Sequence, residues 1–282
     1  MPLPIDKLGT RYDPDTTVID PERAKAYAVA TNDDNPAYES GKYAAPVFGV
    51  VPTWSQLLIA SADVIPPEAL MMIVHGEQDM HFQQPLVPGT ELTTTAEAYA
   101  VRVGGSGTRF VVKVESVDDE GRLVLTQYVT VFIRGMSDGE SGGPDKPDHD
   151  FPEDVRSKKL ATYSVHVDDD QTFRYRDASG DQMPIHVDDA FAKSVGLPGI
   201  IAHGLCTMAM CSQAIVKTVC DGDPARLRRL AVRFAANVFP GNDVDVDVYD
   251  AGERGDVHAY AFEATSAGAV VVKNGWAEVS PS

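Results

Sequence analysis

The sequence predicts an α+β chain built of two tandem repeats, each a helical segment followed by an antiparallel meander. Three observations predict it. Helix signals precede strand-like runs twice, in residues 20–134 and again in 161–279. The two halves align residue by residue. A stretch poor in large apolar residues, 135–160, separates them.

Asp20-Pro21-Glu22 opens the first helix with an N-cap acid, proline at the first position and an acid in the first turn. The helix continues over 23–30, with Tyr27 facing inward, until Thr31-Asn32-Asp33-Asp34-Asn35-Pro36 breaks it. A second break falls at 46–49, and the apolar run 55–62 predicts a buried helix. Strand-like runs follow at 77–84, 91–102, 109–117 and 123–134. Residues 135–159, dense in Gly, Asp, Pro, Ser and Lys, read as a linker that buries little surface.

The order then recurs: a strand at 161–167, a capped helix at 168–178, and a short helix at 187–195 stopped by Gly196. The helix expected over 203–219 carries a single charge, Lys217, which predicts burial on most faces. Runs at 228–238, 243–250, 257–263 and 269–279 give the second meander. The expected division is therefore 1–134, a linker at 135–160, and 161–282.

The repeats align with an offset of 148 residues and no gap: Tyr27 on Tyr175, Ala30 on Ala178, Thr31 on Ser179, Asp33 on Asp181 and Pro36 on Pro184. After four inserted residues, Pro46 falls on Pro198, Phe82 on Phe234 and Pro88-Gly89 on Pro240-Gly241. The mismatches carry the information. Tyr38 stands against His186, and Val51-Pro52-Thr53 against His203-Gly204-Leu205. The first half keeps an acid but lacks the imidazole, and Pro52 has no N–H to offer. Chemistry is expected in the second half, with the first half supplying the other wall of a cleft.

A formal net charge of -18 excludes a nucleic-acid partner and an anionic membrane surface, both of which need clustered Lys and Arg. The 43% hydrophobic content is enough for a sizeable core. Cys206, Cys211 and Cys220 fall in one apolar helical stretch and fit neither a disulfide framework nor a zinc site. No apolar run nears membrane-spanning length and the start lacks an apolar leader, so a cytoplasmic protein is expected.

The chemistry-bearing stretch is 175–186, Tyr-Arg-Asp-Ala-Ser-Gly-Asp-Gln-Met-Pro-Ile-His. Asp181 and His186 straddle Pro184, which bends the segment and pushes Met183 towards an extended conformation. Gly180 allows close backbone approach. A carboxylate and an imidazole within hydrogen-bonding reach suit proton transfer to and from water near neutral pH. At the start of the next helix the Gly204 N–H is free and lies at the positive end of the dipole, a place for a developing anionic oxygen. Simpler roles stand beside these: Asp181 as a turn former, His186 as a structural hydrogen bonder, His203 as packing or capping, and Gly204 as helix-start geometry. Ser179, Cys206 and Ser212 have no base at a spacing that would make them nucleophiles.

Taken together, Tyr175-x-x-Ala-Ser-Gly-Asp-x-x-Pro-Ile-His, Pro198-Gly199-Ile200-Ile201-Ala202-His203-Gly204-Leu205 and Arg233-Phe234-x-x-x-x-Phe239-Pro240-Gly241 resemble the MaoC-like (R)-specific enoyl-CoA hydratases, or hydratase 2. Phe48-Gly49-Val50-Val51, His75-Gly76-Glu77-Gln78 and Pro85-x-x-Pro88-Gly89 resemble the degenerate N-terminal half of the two-repeat members. The resemblance implies a double hot-dog, each half an antiparallel sheet wrapped round a central helix. It implies Asp181 and His186 as the catalytic pair and the Gly204 N–H as oxyanion donor. Tyr175, Ser179, Gly180, Met183, His203 and Arg233 become the candidate substrate-binding residues. The substrate pair implied is trans-2-enoyl-CoA and (3R)-3-hydroxyacyl-CoA, with no metal or redox cofactor and with the acyl tail in the first half near 55–62. Two positions depart from the pattern: Met183 stands where the family has Asn, and Asn237 where it has Pro.

Dehydration of a 3-hydroxyacyl chain on a carrier protein and non-catalytic acyl-CoA binding are the alternatives, the first disfavoured by the acidic surface and the second motivated by Met183. Arg233, the run Arg226-Leu227-Arg228-Arg229, Lys193 and Lys217 are candidates for the CoA phosphates. Two repeats in one chain form a pseudo-dimer, so a monomer or a homodimer is expected.

Overall fold

A computed structural model describes residues 2–281. Its strands are β1 (Asp15–Val18), β2 (Ile73–Phe82), β3 (Glu91–Gly104), β4 (Gly107–Val117), β5 (Leu123–Arg134), β6 (Lys159–His166), β7 (Leu227–Phe234), β8 (Asp243–Arg254), β9 (Val257–Ser266) and β10 (Ala269–Val279). They pair antiparallel in a single sheet of order β1-β3-β4-β5-β2-β7-β10-β9-β8-β6. The two predicted meanders are thus fused edge to edge, which covers an edge each would otherwise expose. The seam pairs β2 with β7, Asp79 opposite Ala231.

The helices are α1 (Pro21–Ala30), α2 (Pro36–Glu39), α3 (Trp54–Val64), α4 (Gln171–Ser179), α5 (Asp189–Ser194) and α6 (Gly204–Val219). α1 starts where the sequence places it, with the Asp20 carboxylate accepting from the Arg23 N–H at 2.9 Å. α4 is capped differently from the expectation at 168: Asp170 occupies the N-cap without a side-chain bond, and Gly180 at φ +84° ends the helix. α6 is buried along most of its length, from Leu205 to Val216. It packs in one core with Met80, Leu230 and Val232 from the seam strands and with Tyr27 and Phe48 of the first half. α3 covers a second core with Leu57, Ala60 and Val64 against Ala96, Phe110, Val112 and Val129. Its burial is one-sided: Leu58 and Ile59 are 52% and 47% exposed, because the apolar run is longer than the sheet-facing stripe.

The segment 135–158 is more than a spacer. It crosses the sheet face opposite the helices, where Phe151 and Val155 pack on Ala231, Ala259, Ala261 and Trp276. Both repeats hold it: Arg102 Nη1 donates to the Gly142 carbonyl at 2.6 Å, and Arg229 Nη2 to that of Asp148 at 2.8 Å. Composition hides this, because backbone carbonyls and a few apolar side chains do the anchoring. Strand β1, four residues long and polar on one face, had no legible signal. Among the described residues no helix is long and apolar enough to cross a membrane.

Candidate active site

α4 and the loop behind it supply the acid. Gly180 turns the chain, and the Ser179 Oγ accepts the Asp181 N–H at 3.2 Å. Asp181 Oδ1 accepts the Met183 N–H at 3.1 Å, an Asx turn that any residue at 183 can complete through its backbone. The Met183 side chain itself is 53% exposed. The Pro184–His186 3-10 turn then carries His186 inward, where it is 7% exposed.

His186 is fixed as a tautomer. Its Nδ1 lies 2.8 Å from the Ile201 carbonyl oxygen, which can only accept, so Nδ1 carries the proton. Nε2 is left with its lone pair. Burial lowers the His186 pKa from its usual value, opposed by the Ile201 carbonyl and the Asp181 carboxylate. The imidazole is therefore neutral and able to take a proton at neutral pH.

His203, the N-cap of α6, stacks on His186 with ring centroids 3.8 Å apart and planes 24° apart. On its other side lies Tyr175, at 4.7 Å. His203 Nε2 donates to the Asp181 backbone carbonyl at 3.3 Å. Burial and the neighbouring His186 push its pKa down to about 3, so it too is neutral. His203 thus holds the Asp181 backbone and the His186 ring. The carboxylate of Asp181 and one nitrogen of each imidazole lie within 4.8 Å of one another. Such a set can serve a cation in principle, but stacked rings aim their in-plane lone pairs along near-parallel planes and not at one point. The arrangement suits proton transfer better than coordination.

Gly204 is the first residue of α6, so its N–H has no acceptor within the helix. The Phe234 ring covers it: a Cβ added there would sit 3.4 Å from the ring. The next residue, Leu205, lines a crevice into the first half with Val50, Thr53, Trp54, Leu57 and Val129. The crevice is narrow, with about 10 Å³ of free space.

The structure brings Asp181, His186, His203 and Gly204 to one place, with Gly180 and Met183 shaping the loop through their backbone and Ser179 through its hydroxyl. Tyr175 lies outside the cleft. It is 1% exposed and its hydroxyl meets that of Tyr27 at 3.1 Å, so it is core. Arg233 is not in the site. Its neighbour Phe234 faces the helices, and strand alternation turns Arg233 to the opposite face. There it lies 3.8 Å from Glu77 and lines a 410 Å³ cavity with Arg109, Lys146 and His149. The other basic candidates are mostly tied to acids: Lys193 to Asp189, Lys217 to Asp34, Arg226 to Asp221 and Arg229 to Asp79. In so acidic a chain most cations find an internal partner. Burial pushes the three cysteine thiols up to about 12, which removes them as nucleophiles. Sequence reading missed the Ile201 carbonyl that sets the tautomer, and it missed Arg23, whose guanidinium reaches the loop from the first half.

Two repeats whose fused sheet wraps two long helices make this a double hot-dog protein. The chain belongs to the MaoC-like family in its two-repeat form: residues 32–135 match the MFE-2 hydratase 2 N-terminal domain and residues 151–268 the MaoC like domain. It is 33% identical over 222 residues to the peroxisomal multifunctional enzyme type 2 of Drosophila melanogaster, a match covering 75% of this chain and 36% of that protein. A probable enoyl-CoA hydratase 2 of Dictyostelium discoideum is 28% identical over 181 residues, 64% of this chain and 61% of its own length. The chain thus spans less than two thirds of these curated relatives. The crystal structure of a MaoC-like dehydratase from Phytophthora capsici superimposes with a TM-score of 0.89 at 26% identity, covering 99% and 98% of the two chains.

Proposed function

We propose that this protein adds water across the double bond of a trans-2-enoyl-CoA to give the (3R)-3-hydroxyacyl-CoA, or catalyses the reverse dehydration. One observation carries the reading: a carboxylate and a neutral imidazole converge beside the free N–H that opens a buried helix. The names of the relatives, a multifunctional enzyme type 2 and an enoyl-CoA hydratase 2, support the same chemistry.

In this reading a water lies between the Asp181 carboxylate and His186 Nε2. The pair takes one proton from it as its oxygen bonds to C3 of the enoyl group. The C2–C3 π electrons move towards the thioester, and the enolate oxygen accepts from the Gly204 N–H. A proton from the same pair then goes to C2, so water has been added and both residues are restored. General acid–base transfer of this kind contributes roughly 10²–10⁴-fold, and one oxyanion donor about 3 kcal/mol. The acyl tail enters the crevice between Leu205 and α3, which widens by movement of Trp54 and the exposed outer turn of α3. The first half is thus the acyl-tail side and the second the catalytic side.

The site acts on CoA thioesters more readily than on carrier-bound chains, because an acidic surface repels an acidic carrier. The chain works as a monomeric pseudo-dimer or as a homodimer of it, in the cytoplasm. The test is loss of the conjugated-thioester absorbance of crotonyl-CoA and longer enoyl-CoAs with purified protein. Folded protein that turns over none of them sinks the proposal.

A further inference from the structure

The alignment of the repeats pairs position 23 with position 171, and position 30 with 178. In space these pairs cross. Arg23 on α1 donates from Nε to the Ala178 carbonyl at 2.7 Å, and Gln171 on α4 donates from Nε2 to the Ala30 carbonyl. Each repeat therefore caps the C-terminal end of its partner's helix with a side chain from the same repeat position. Between these two contacts Tyr27 and Tyr175, also equivalent, share a hydrogen bond.

The two helix ends differ in the group at the aligned position. At the end of α1 the aligned capping group is a neutral amide, joined from elsewhere on α4 by Arg174, whose Nη1 donates to the Val29 carbonyl at 3.0 Å. Where the acid/base loop survives, it is a guanidinium, and it makes a second bond: Arg23 Nη2 to the Ser179 carbonyl at 2.6 Å. These are the last two carbonyls of α4, at the negative end of its dipole, where a cation is favoured. Ser179 in turn holds the Asp181 N–H through its hydroxyl. Arg23 also sets the limit at Gly180, where an added Cβ would lie 2.7 Å from Nη2 and where φ is +84°.

We propose that Arg23, contributed by the degenerate repeat, is a positioning residue for the catalytic loop of the other repeat: it fixes the exit of α4 from which Asp181 is suspended. The first half would then be needed for catalysis itself as well as for holding an acyl tail. Arg23 touches no reacting atom, so its removal should loosen the loop and slow turnover without weakening substrate binding. The role rests on the hydratase reading for its kinetic part but not for its structural part.

The experiment compares wild type with Arg23→Ala, Arg23→Gln and Arg23→Lys as purified full-length chains. Amide hydrogen exchange of the peptide covering 177–186 is measured alongside kcat and KM for crotonyl-CoA hydration. Arg23→Ala should exchange faster across this peptide and lose about tenfold in kcat with KM nearly unchanged. Arg23→Gln, which copies the amide at 171, should restore part of both, and Arg23→Lys should restore less than a full fork of donors does. Unchanged exchange in Arg23→Ala overturns the inference whatever the turnover. Faster exchange with unchanged kcat overturns it too. A wild type without turnover removes the proposed function, and the exchange data alone then decide on Arg23.

Discussion

The hydroxyls of Tyr27 and Tyr175, residues at the same position of the two repeats, meet at 3.1 Å in the centre of the molecule, and neither side chain is more than 1% exposed. Each is the other's partner. The pseudo-twofold relationship between the repeats therefore passes through this contact and through Asp79 opposite Ala231 in the seam, and the loop carrying Asp181 and His186 follows one of the two helices so joined.

Loss of one hydroxyl strands the other in an apolar site. Tyr27→Phe and Tyr175→Phe should each cost on the order of 1–2 kcal/mol of unfolding free energy. The double Phe variant should be less destabilised than the sum of the two. A double-mutant cycle in urea reads this directly, and strict additivity would show that the hydroxyls are satisfied elsewhere.

Gly204→Pro separates the N–H from the rest of the helix start. Proline is tolerated at the first helical position, and His203 already holds the extended conformation, φ -62° and ψ 138°, that a following proline requires. The first repeat has Pro52 at the aligned position. The variant should melt close to wild type yet lose about 10²–10³-fold in kcat. Retained turnover would remove the N–H from the mechanism.

His186 should set the acid limb of the pH profile for the proposed reaction. Burial holds its pKa below the usual imidazole value of 6.5, against the opposing pull of Ile201 and Asp181. The base form is the neutral one, so kcat/KM should stay level as pH falls through neutrality and drop only below about 6.5. A midpoint above that value would contradict the buried, neutral base.

The seam carries two buried acids. Burial raises the pKa of Glu77, but His149 and Lys146 outweigh it and hold it at about 2; His81 and Arg229 do the same for Asp79, also at about 2. A depressed carboxylate stabilises the fold above the ordinary carboxylate range, and that stability is lost as pH falls from about 4 to about 2. Unfolding free energy should fall steeply in that window. Glu77→Gln should start less stable at neutral pH and show a shallower acid slope; an unchanged slope would mean the pairs with Lys146 and His149 are not maintained.

Much of this was legible in the sequence, for reasons specific to each part. The repeats were readable because helix, break and strand recur at a fixed offset, and the acid/base loop because Gly180, Pro184 and the Asp181–His186 spacing leave it little conformational choice. The fusion of two meanders into one sheet was not readable, since nothing in β2 or β7 marks them as partners. Arg233 was a candidate because the CoA phosphates need basic groups and it belongs to the motif, but strand alternation turns it to the other face. Tyr175 was read as a binding residue because it belongs to the motif, whereas its duplicate Tyr27 makes it core. Arg23 had one trace, a long donor side chain at the position aligned with Gln171, but the bond runs between repeats and no reading within one half could find it.

The measurement that tests the central claim most directly is hydration of trans-2-enoyl-CoA by wild type, Asp181→Asn and His186→Ala at neutral pH, each checked for wild-type secondary structure and melting. Wild type should convert the enoyl thioester to the (3R)-hydroxy product, and each substitution should lower kcat by about 10²–10⁴-fold. Equal turnover by wild type and both variants would contradict the assignment of these residues as the acid/base pair.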